Sequence, residues 1–271
     1  MRGWWQEIAG LVLPLACPGC GCPRTPLCEE CAGELTGREP RRVRPSPEPA
    51  GLPMVFAAAG YEGAVRALLL AHKERGALGL AGLLGGALAG AVRAALAQVP
   101  GGVPGPVLLV PVPSARHAVR ARGQDAARRV AAAAAGALRR GGVPARVLPV
   151  LRQCRPVADQ SGLTARLRLA NMAGALGVVP GAERLLVGRT AVLVDDLMTT
   201  GASLAEAARA LCAAQRCDPA VPVVPAVSDR PARYGTVAAV VAAPVLAFGS
   251  SRGPARHRLA EPTRRPGRCS Q

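Results

Sequence analysis

At 271 residues, the chain has room for one ordinary domain and a small appendage, which excludes two full-sized domains. Half of its residues are hydrophobic but only 2% are aromatic, so we expect a core of Ala, Leu and Val. The formal charge of +17 favours an anionic partner, although the abundance of Arg beside one Lys and one Asn is also typical of a GC-rich genome.

No stretch of the sequence predicts insertion into a membrane. The uncharged, Gly- and Ala-rich stretch at residues 76–92 is shorter than the roughly 20 residues of a spanning helix and indicates a buried helix instead. The first 17 residues resemble a lipoprotein signal, but Glu7 and Pro14 interrupt their apolar run and Arg2 is their only basic residue. We therefore expect a cytoplasmic protein.

Five of the nine cysteines cluster near the start of the chain, where they form two C-x-x-C pairs with Gly and Pro between them. Four thiolates saturate a tetrahedral Zn²⁺ ion. We therefore predict a structural zinc site whose ligands are Cys17, Cys20, Cys28 and Cys31. Cys22 is the spare thiol, and it could compete with Cys20. The alternative is a set of unliganded reduced thiols, or a redox pair.

Composition divides the chain into four parts. Residues 1–36 form the zinc-binding segment, which is too small to fold without the metal. A Pro- and Arg-rich stretch without periodicity predicts a linker at 37–53. Apolar runs alternate with amphipathic stretches over 54–246, which predicts an α/β domain with a mostly parallel sheet. The Arg-rich residues 247–271 predict a disordered tail.

Within the α/β domain, the apolar patterns predict the elements in order. Strands are expected at 54–61, 106–114, 145–152, 190–196, 220–227 and 236–244. Helices are expected at 62–76, 79–99, 127–140 and 162–176, and from Leu204 onward after the cap residue Ser203.

The loop after the strand at 190–196 carries unusual chemistry. Asp195 and Asp196 end the apolar run, and the spacing of Ser203 and Glu206 is that of a capping box. The intervening hydroxyls and unobstructed backbone suit a phosphate at a helix N-terminus. They belong to Thr199, Thr200 and Gly201, and Ala202 follows them before the cap residue. The pattern therefore predicts a phosphorylated ligand whose hydroxyls bind the carboxylates.

A second loop rich in functional side chains follows the strand predicted at 106–114. It carries four basic side chains, Arg116, His117, Arg120 and Arg122. Guanidinium groups suit phosphate oxygens, so this loop could hold a more anionic group, but a solvated basic face explains each arginine equally well. The sequence has neither a Walker loop nor a G-x-G-x-x-G motif, which excludes ordinary ATPases and NAD enzymes.

The stretch VLVDDLMTTGAS resembles the phosphoribosyl-pyrophosphate (PRPP) motif of type I phosphoribosyltransferases, and most of residues 15–214 resemble the ComF competence-protein family. The wider resemblance rests on the cysteine knuckles, Tyr61 with Lys73, VPVPSARHAVRARG and RPVADQSGLTARLRLAN.

The resemblance implies a type I phosphoribosyltransferase fold that binds PRPP with Mg²⁺. Asp195 and Asp196 would be the catalytic pair that holds the ribose hydroxyls, and the residues from Thr199 to Ser203 would cradle the 5′-phosphate. Pro113, Ser114 and Arg122 would face the pyrophosphate, and Lys73 joins the binding set. The Mg²⁺ ion would sit on ligand oxygens with few protein ligands.

The role that the resemblance implies is DNA uptake or nucleotide-related metabolism. Purine salvage is not expected, because Thr199 stands where the purine-salvage relatives carry an Asp. Three alternatives stay open: a phosphoribosyltransferase, a non-enzymatic PRPP-binding adaptor that touches single-stranded DNA, and a scaffold for a helicase-like partner. A pocket for a base would distinguish them, and the sequence shows none.

Overall fold

The computed structural model describes residues 16–99, 102–103, 105–115, 119–120, 123, 125–158, 162–186, 188–216 and 236–249. Its helices are α1 (Glu29–Thr36), α2 (Gly63–Glu74), α3 (Ala81–Leu96), α4 (Ala126–Arg140), α5 (Ala165–Met172) and α6 (Ala202–Arg216). Its strands are β1 (Arg41–Val43), β2 (Val55–Gly60), β3 (Val107–Pro111), β4 (Ala145–Val147), β5 (Leu151–Gln153), β6 (Leu176–Val178), β7 (Ala191–Leu197) and β8 (Val237–Ala243).

Six of these strands form one sheet in the order β1–β2–β8–β7–β3–β4. All neighbours in it run parallel except β1, which pairs antiparallel with β2 at one edge. The two remaining strands, β5 and β6, form a small antiparallel sheet of their own. The predicted fold class, an α/β protein with a mostly parallel sheet, is confirmed.

The central strands are buried on both faces, as their continuous apolar sequences predict. Every residue of β8 is buried, and so are the first four residues of β7. Alternate residues belong to different core clusters: Val192 and Val194 pack with α2, α3 and α4, whereas Leu193 packs with α6. Helices therefore cover both faces of the sheet. Ala, Leu and Val dominate both clusters, as expected from the scarcity of aromatic residues.

Helix α3 corresponds to the helix predicted at 79–99. The segment Leu78–Leu96 is long and apolar enough to cross a membrane, but half of that window is buried inside the protein, as in the core helix of a globular domain. Gly85 lets α3 approach α4 closely, since a Cβ atom there would lie 2.5 Å from the Ala133 Cβ atom and 2.8 Å from the Ala134 nitrogen.

Two predicted segments differ from the observed elements. The stretch predicted as a linker contains β1, whose three residues pair with β2. The single strand predicted at 145–152 is two strands in different sheets, β4 beside β3 and β5 beside β6. Pro149 lies between them, and a residue without an N–H group interrupts a ladder. The strand predicted at 220–227 and residues 250–271 of the tail lie outside the described residues.

Candidate functional site

Two loops that the sequence singled out leave the same edge of the large sheet. β3 and β7 are parallel neighbours with Pro111 opposite Val194, and the Val112 N–H donates to the Val194 carbonyl at 2.9 Å. Pro113 and Ser114 therefore follow β3 beside the end of β7, where Asp195 and Asp196 lie. Ligands of open α/β sheets bind at this carboxyl edge, so the fold supports a shared site.

The carboxylate pair at the end of β7 has one cationic partner among the described residues, Lys73 of α2. Its Nζ lies 2.9 Å from Oδ2 and 3.2 Å from Oδ1 of Asp196, whose side chain is 6% exposed. The Asp195 Oδ1 instead accepts the Asp196 N–H at 2.8 Å. Burial, and then the neighbouring Asp196 carboxylate, raise the pKa of Asp195 well above its ordinary value, although Lys73 opposes this. The pair thus favours hydroxyl donors or a cation.

The loop that follows the pair turns sharply into α6. Gly201 has a φ of +77°, and a Cβ atom there would meet the Leu52 side chain at 3.0 Å, so this position favours glycine. Helix α6 begins at Ala202, two residues earlier than predicted. Thr199 and Thr200 directly precede this helix start, and the N–H groups at a helix N-terminus can bind an anion.

The predicted capping box of Ser203 and Glu206 is wrong, because Glu206 has other partners. Its carboxylate accepts the Leu176 N–H at 3.1 Å and both the Nε and Nη2 groups of Arg209 at 2.7 Å. Burial raises the pKa of Glu206, but these hydrogen bonds outweigh that effect and hold the pKa below its ordinary value. Glu206 therefore joins α6 to the small sheet rather than capping the helix.

Arg168 is a residue of this site that the sequence reasoning missed. It lies on α5, and its Nη1 donates to the Thr199 Oγ1 at 2.8 Å. Its Nε donates to the Leu163 carbonyl at 3.0 Å. In a chain so rich in arginine, nothing in the sequence distinguishes Arg168 from its neighbours. The only available signal was its place in the stretch RPVADQSGLTARLRLAN.

The loop after β3 is only partly described. The Ser114 hydroxyl donates to Asp125 Oδ1 at 3.1 Å, and the same carboxylate caps α4 by accepting the Arg128 N–H at 3.2 Å. Ser114 is thus held next to the start of α4. Arg122, like Arg116 and His117, lies outside the described residues, and Arg120 is exposed. The prediction that this loop holds pyrophosphate stays a prediction.

The four cysteines predicted as zinc ligands come together at the start of the described chain. Their sulfur atoms all lie within 4.8 Å of one another. The Sγ of Cys28 is 3.7 Å from that of Cys17 and 3.5 Å from that of Cys20. The edge of a tetrahedral ZnS₄ site is about 3.8 Å, given Zn–S bonds of about 2.3 Å. The four thiols can therefore hold a zinc ion, and Cys22 is outside this set, as predicted.

The backbone around the cysteine cluster favours thiolate on one of the four sulfurs. Burial raises the pKa of Cys17, but N–H donors, from Cys28, Cys20 and Gly19, outweigh it and lower that pKa to about 6. Burial and the neighbouring thiols raise the pKa of Cys31 far above its ordinary value. The Cys20 pKa rises to about 11, since burial and the Cys28 and Cys17 thiols oppose the lowering effect of the Cys22 N–H. With their pKa values raised, Cys20 and Cys31 would need a bound cation to be thiolates near neutral pH.

No protein-family model matches the chain, and no curated protein matches it either.

Proposed function

We propose that this protein binds PRPP with Mg²⁺ at the carboxyl edge of the large sheet, as a type I phosphoribosyltransferase-like protein of the ComF kind. The observation that carries the proposal is the pair Asp195 and Asp196 at the end of β7, followed directly by a Thr-Thr-Gly loop at the start of α6. Carboxylates that can accept hydrogen bonds from sugar hydroxyls are then adjacent in sequence to N–H and hydroxyl groups that can donate to a phosphate. A sugar phosphate needs both kinds of partner.

Each part of the site has a role toward this ligand. The carboxylates of Asp195 and Asp196 accept the ribose hydroxyls, and Lys73 neutralises one of the two charges. The hydroxyls and N–H groups of residues 199–203 hold the 5′-phosphate. The loop with Pro113 and Ser114 lies beside the acid pair, where the pyrophosphate would extend.

The charge of the site fits the presence of Mg²⁺. The raised pKa of Asp195 marks a place where negative charge is poorly compensated in the free protein. The ion would sit mostly on ligand oxygens, where it neutralises the pyrophosphate. In an enzyme, an acceptor would displace pyrophosphate at the ribose C1, and the chain would contribute positioning and charge stabilisation.

We also propose that the thiolates of Cys17, Cys20, Cys28 and Cys31 bind a structural zinc ion. The distances between their sulfur atoms support this, as do the N–H groups of Cys28 and Cys31, which point to the Cys17 and Cys28 sulfurs at 3.5 Å. The segment has few buried apolar residues of its own, so the metal would supply much of its stability.

Calorimetric titration with PRPP, with and without Mg²⁺, tests the binding proposal. We expect a complex that needs the ion, and no binding in its presence would refute the proposal. A pyrophosphate-release assay on the same samples then separates the enzyme from its alternative. Binding without release would favour a PRPP-binding adaptor in DNA uptake, with single-stranded DNA or a helicase-like competence protein as its partner.

A further inference from the structure

Arg168 is a cation of the site whose hydrogen-bond partners in the described part of the chain are both uncharged. Its guanidinium group is partly buried and is held by two neutral acceptors, the Leu163 carbonyl and the Thr199 hydroxyl. The ion pairs within the described part of the chain are Lys73 with Asp196 and Arg209 with Glu206. No described carboxylate therefore neutralises Arg168. The other cation of the site, Lys73, differs because it forms an ion pair with Asp196.

The position of Arg168 is well determined by the helix that carries it. Thr164 caps α5 by accepting the Leu167 N–H, and the buried Met172 anchors the end of the helix in the core. The Asn171 side chain accepts the Ala158 N–H at 3.2 Å and donates to the Ala158 carbonyl at 2.9 Å. Together these contacts fix where the guanidinium group sits.

Hydrogen bonds also join the small sheet of β5 and β6 to α6, the helix that follows the loop from Thr199 to Gly201. Glu206 and Arg209 of α6 bind the backbone N–H and carbonyl of Leu176 in β6, at 3.1 and 2.9 Å. The Arg155 guanidinium adds hydrogen bonds to the carbonyls of Asn171 and Ala173, at 2.9 and 2.6 Å. Arg168 is thus presented to the loop by a unit that several hydrogen bonds hold in place.

We propose that Arg168 is an anion-binding residue of this site, which donates to the phosphate held by the loop from Thr199 to Ser203. This rests on the proposed function and adds a ligand-binding residue to it. The Nε and one Nη1 donor are engaged, which leaves further N–H donors of the planar fork for phosphate oxygens. Thr199 is the first residue of that loop, and its hydroxyl accepts the Arg168 Nη1 donor at 2.8 Å, which keeps the guanidinium group next to the loop.

The test is calorimetric titration of the full-length protein with ribose 5-phosphate, and separately with magnesium pyrophosphate. The variant is Arg168→Gln, and its matched control is Arg166→Gln, which changes an exposed arginine of the same helix. We expect Arg168→Gln to weaken ribose 5-phosphate binding at least tenfold while magnesium pyrophosphate binds as in the unmodified protein, and Arg166→Gln to change neither.

Two outcomes would overturn the inference. Unchanged ribose 5-phosphate affinity in Arg168→Gln would show that the guanidinium does not touch the phosphate, and an equal loss of both ligands would mean a merely structural role. Arg168→Lys keeps the charge if the glutamine variant does not fold, and it should bind ribose 5-phosphate less tightly because it lacks the fork. Equal affinity there would refute the part of the inference that assigns the planar fork to the phosphate. If the unmodified protein binds neither PRPP nor ribose 5-phosphate, the proposed function itself fails.

Discussion

Asp195 and Asp196 are neighbours in sequence, but they have different surroundings. Asp196 is buried against the Lys73 ammonium group, so its charge is compensated within the protein. Asp195 instead accepts the backbone N–H of the next residue, and Lys73 offsets only part of the effect of burial on its pKa. Asp196 therefore forms a fixed ion pair with Lys73. Burial disfavours the charge of Asp195, and a bound ligand would compensate that charge.

The double change Asp195→Asn with Asp196→Asn should weaken PRPP binding at least tenfold. It keeps the shape of both side chains but removes charge-assisted hydrogen bonds to the ribose, each worth about 1.5 to 3 kcal/mol. Calorimetry measures the effect, and Glu74→Gln, an exposed change next to Lys73, is the control. Unchanged affinity in the double variant would refute the assignment of the site.

The single change Asp195→Asn should stabilise the unliganded protein at neutral pH. Because the pKa of Asp195 is raised in the folded state, its ionisation costs stability as the pH rises from its ordinary pKa through the raised one. The amide keeps the acceptor for the Asp196 N–H but never ionises. Urea denaturation of both proteins at acidic and neutral pH checks this. The advantage of the variant should grow with pH, and an advantage that shrinks would contradict the assigned shift.

At the scale of elements, the sequence predicts features formed by adjacent residues better than features that depend on long-range contacts. The strand β7, its loop and α6 follow one another in sequence, so the site's centre could be predicted from adjacent residues. Arg168 and Glu206 could not, because their partners lie 31 and 30 residues away and only the folded chain brings them together. The strand β1 was missed for the same reason, since a three-residue strand has no periodicity and exists only through its pairing with β2.

The cysteine cluster should bind one zinc ion per chain, and elemental analysis of the purified protein measures it. The double change Cys28→Ser with Cys31→Ser removes two ligands and should abolish the metal, because two thiolates cannot saturate it. Cys22→Ser is the matched control, since the Cys22 sulfur lies outside the set of four. Metal loss from the control would mean that the ligands are assigned wrongly.

The contact between α3 and α4 should be sensitive to a single methyl group. Gly85→Ala forces a Cβ atom against the backbone of α4 and should cost about 1 to 3 kcal/mol of unfolding free energy, as overpacking does. Gly86→Ala is the control, because no atom lies within 4 Å of its new Cβ and alanine favours the helix by up to about 1 kcal/mol. Urea denaturation compares the two midpoints, and equal midpoints would contradict this close contact.

At the scale of the molecule, part of the excess of arginine lies along one edge of the large sheet. Arg41 and Arg42 of β1, with Arg38 and Arg44 beside them, are exposed along the edge of the sheet. Arg41 also lies over the Phe248 ring, 5.8 Å from its centre. A charged edge strand discourages pairing with another strand, so this basic edge serves the fold whether or not it binds nucleic acid.

Single-stranded DNA should bind in a salt-sensitive manner if this charge has a polymeric partner. Each neutralised phosphate contributes about 0.7 to the slope of log affinity against log salt. Base stacking can add little in a chain with two Trp, two Tyr and two Phe residues, so sequence preference should be weak. Fluorescence anisotropy at several salt concentrations tests this, with residues 250–271 removed in a second protein. If neither protein binds single-stranded DNA at low salt, the excess of arginine reflects the composition of a GC-rich genome and not a polymeric partner.

The position of β8 decides when this protein can fold during its synthesis. β8 is the last of the described strands, yet it lies between β2 and β7 in the middle of the sheet. Until the ribosome has released residues 237–243, the edges of β2 and β7 that will pair with β8 are exposed. Such unpaired, apolar strand edges are prone to aggregate. A chain truncated before Val237 should therefore aggregate rather than form a smaller folded protein, because among the described strands only β8 joins β2 to β7.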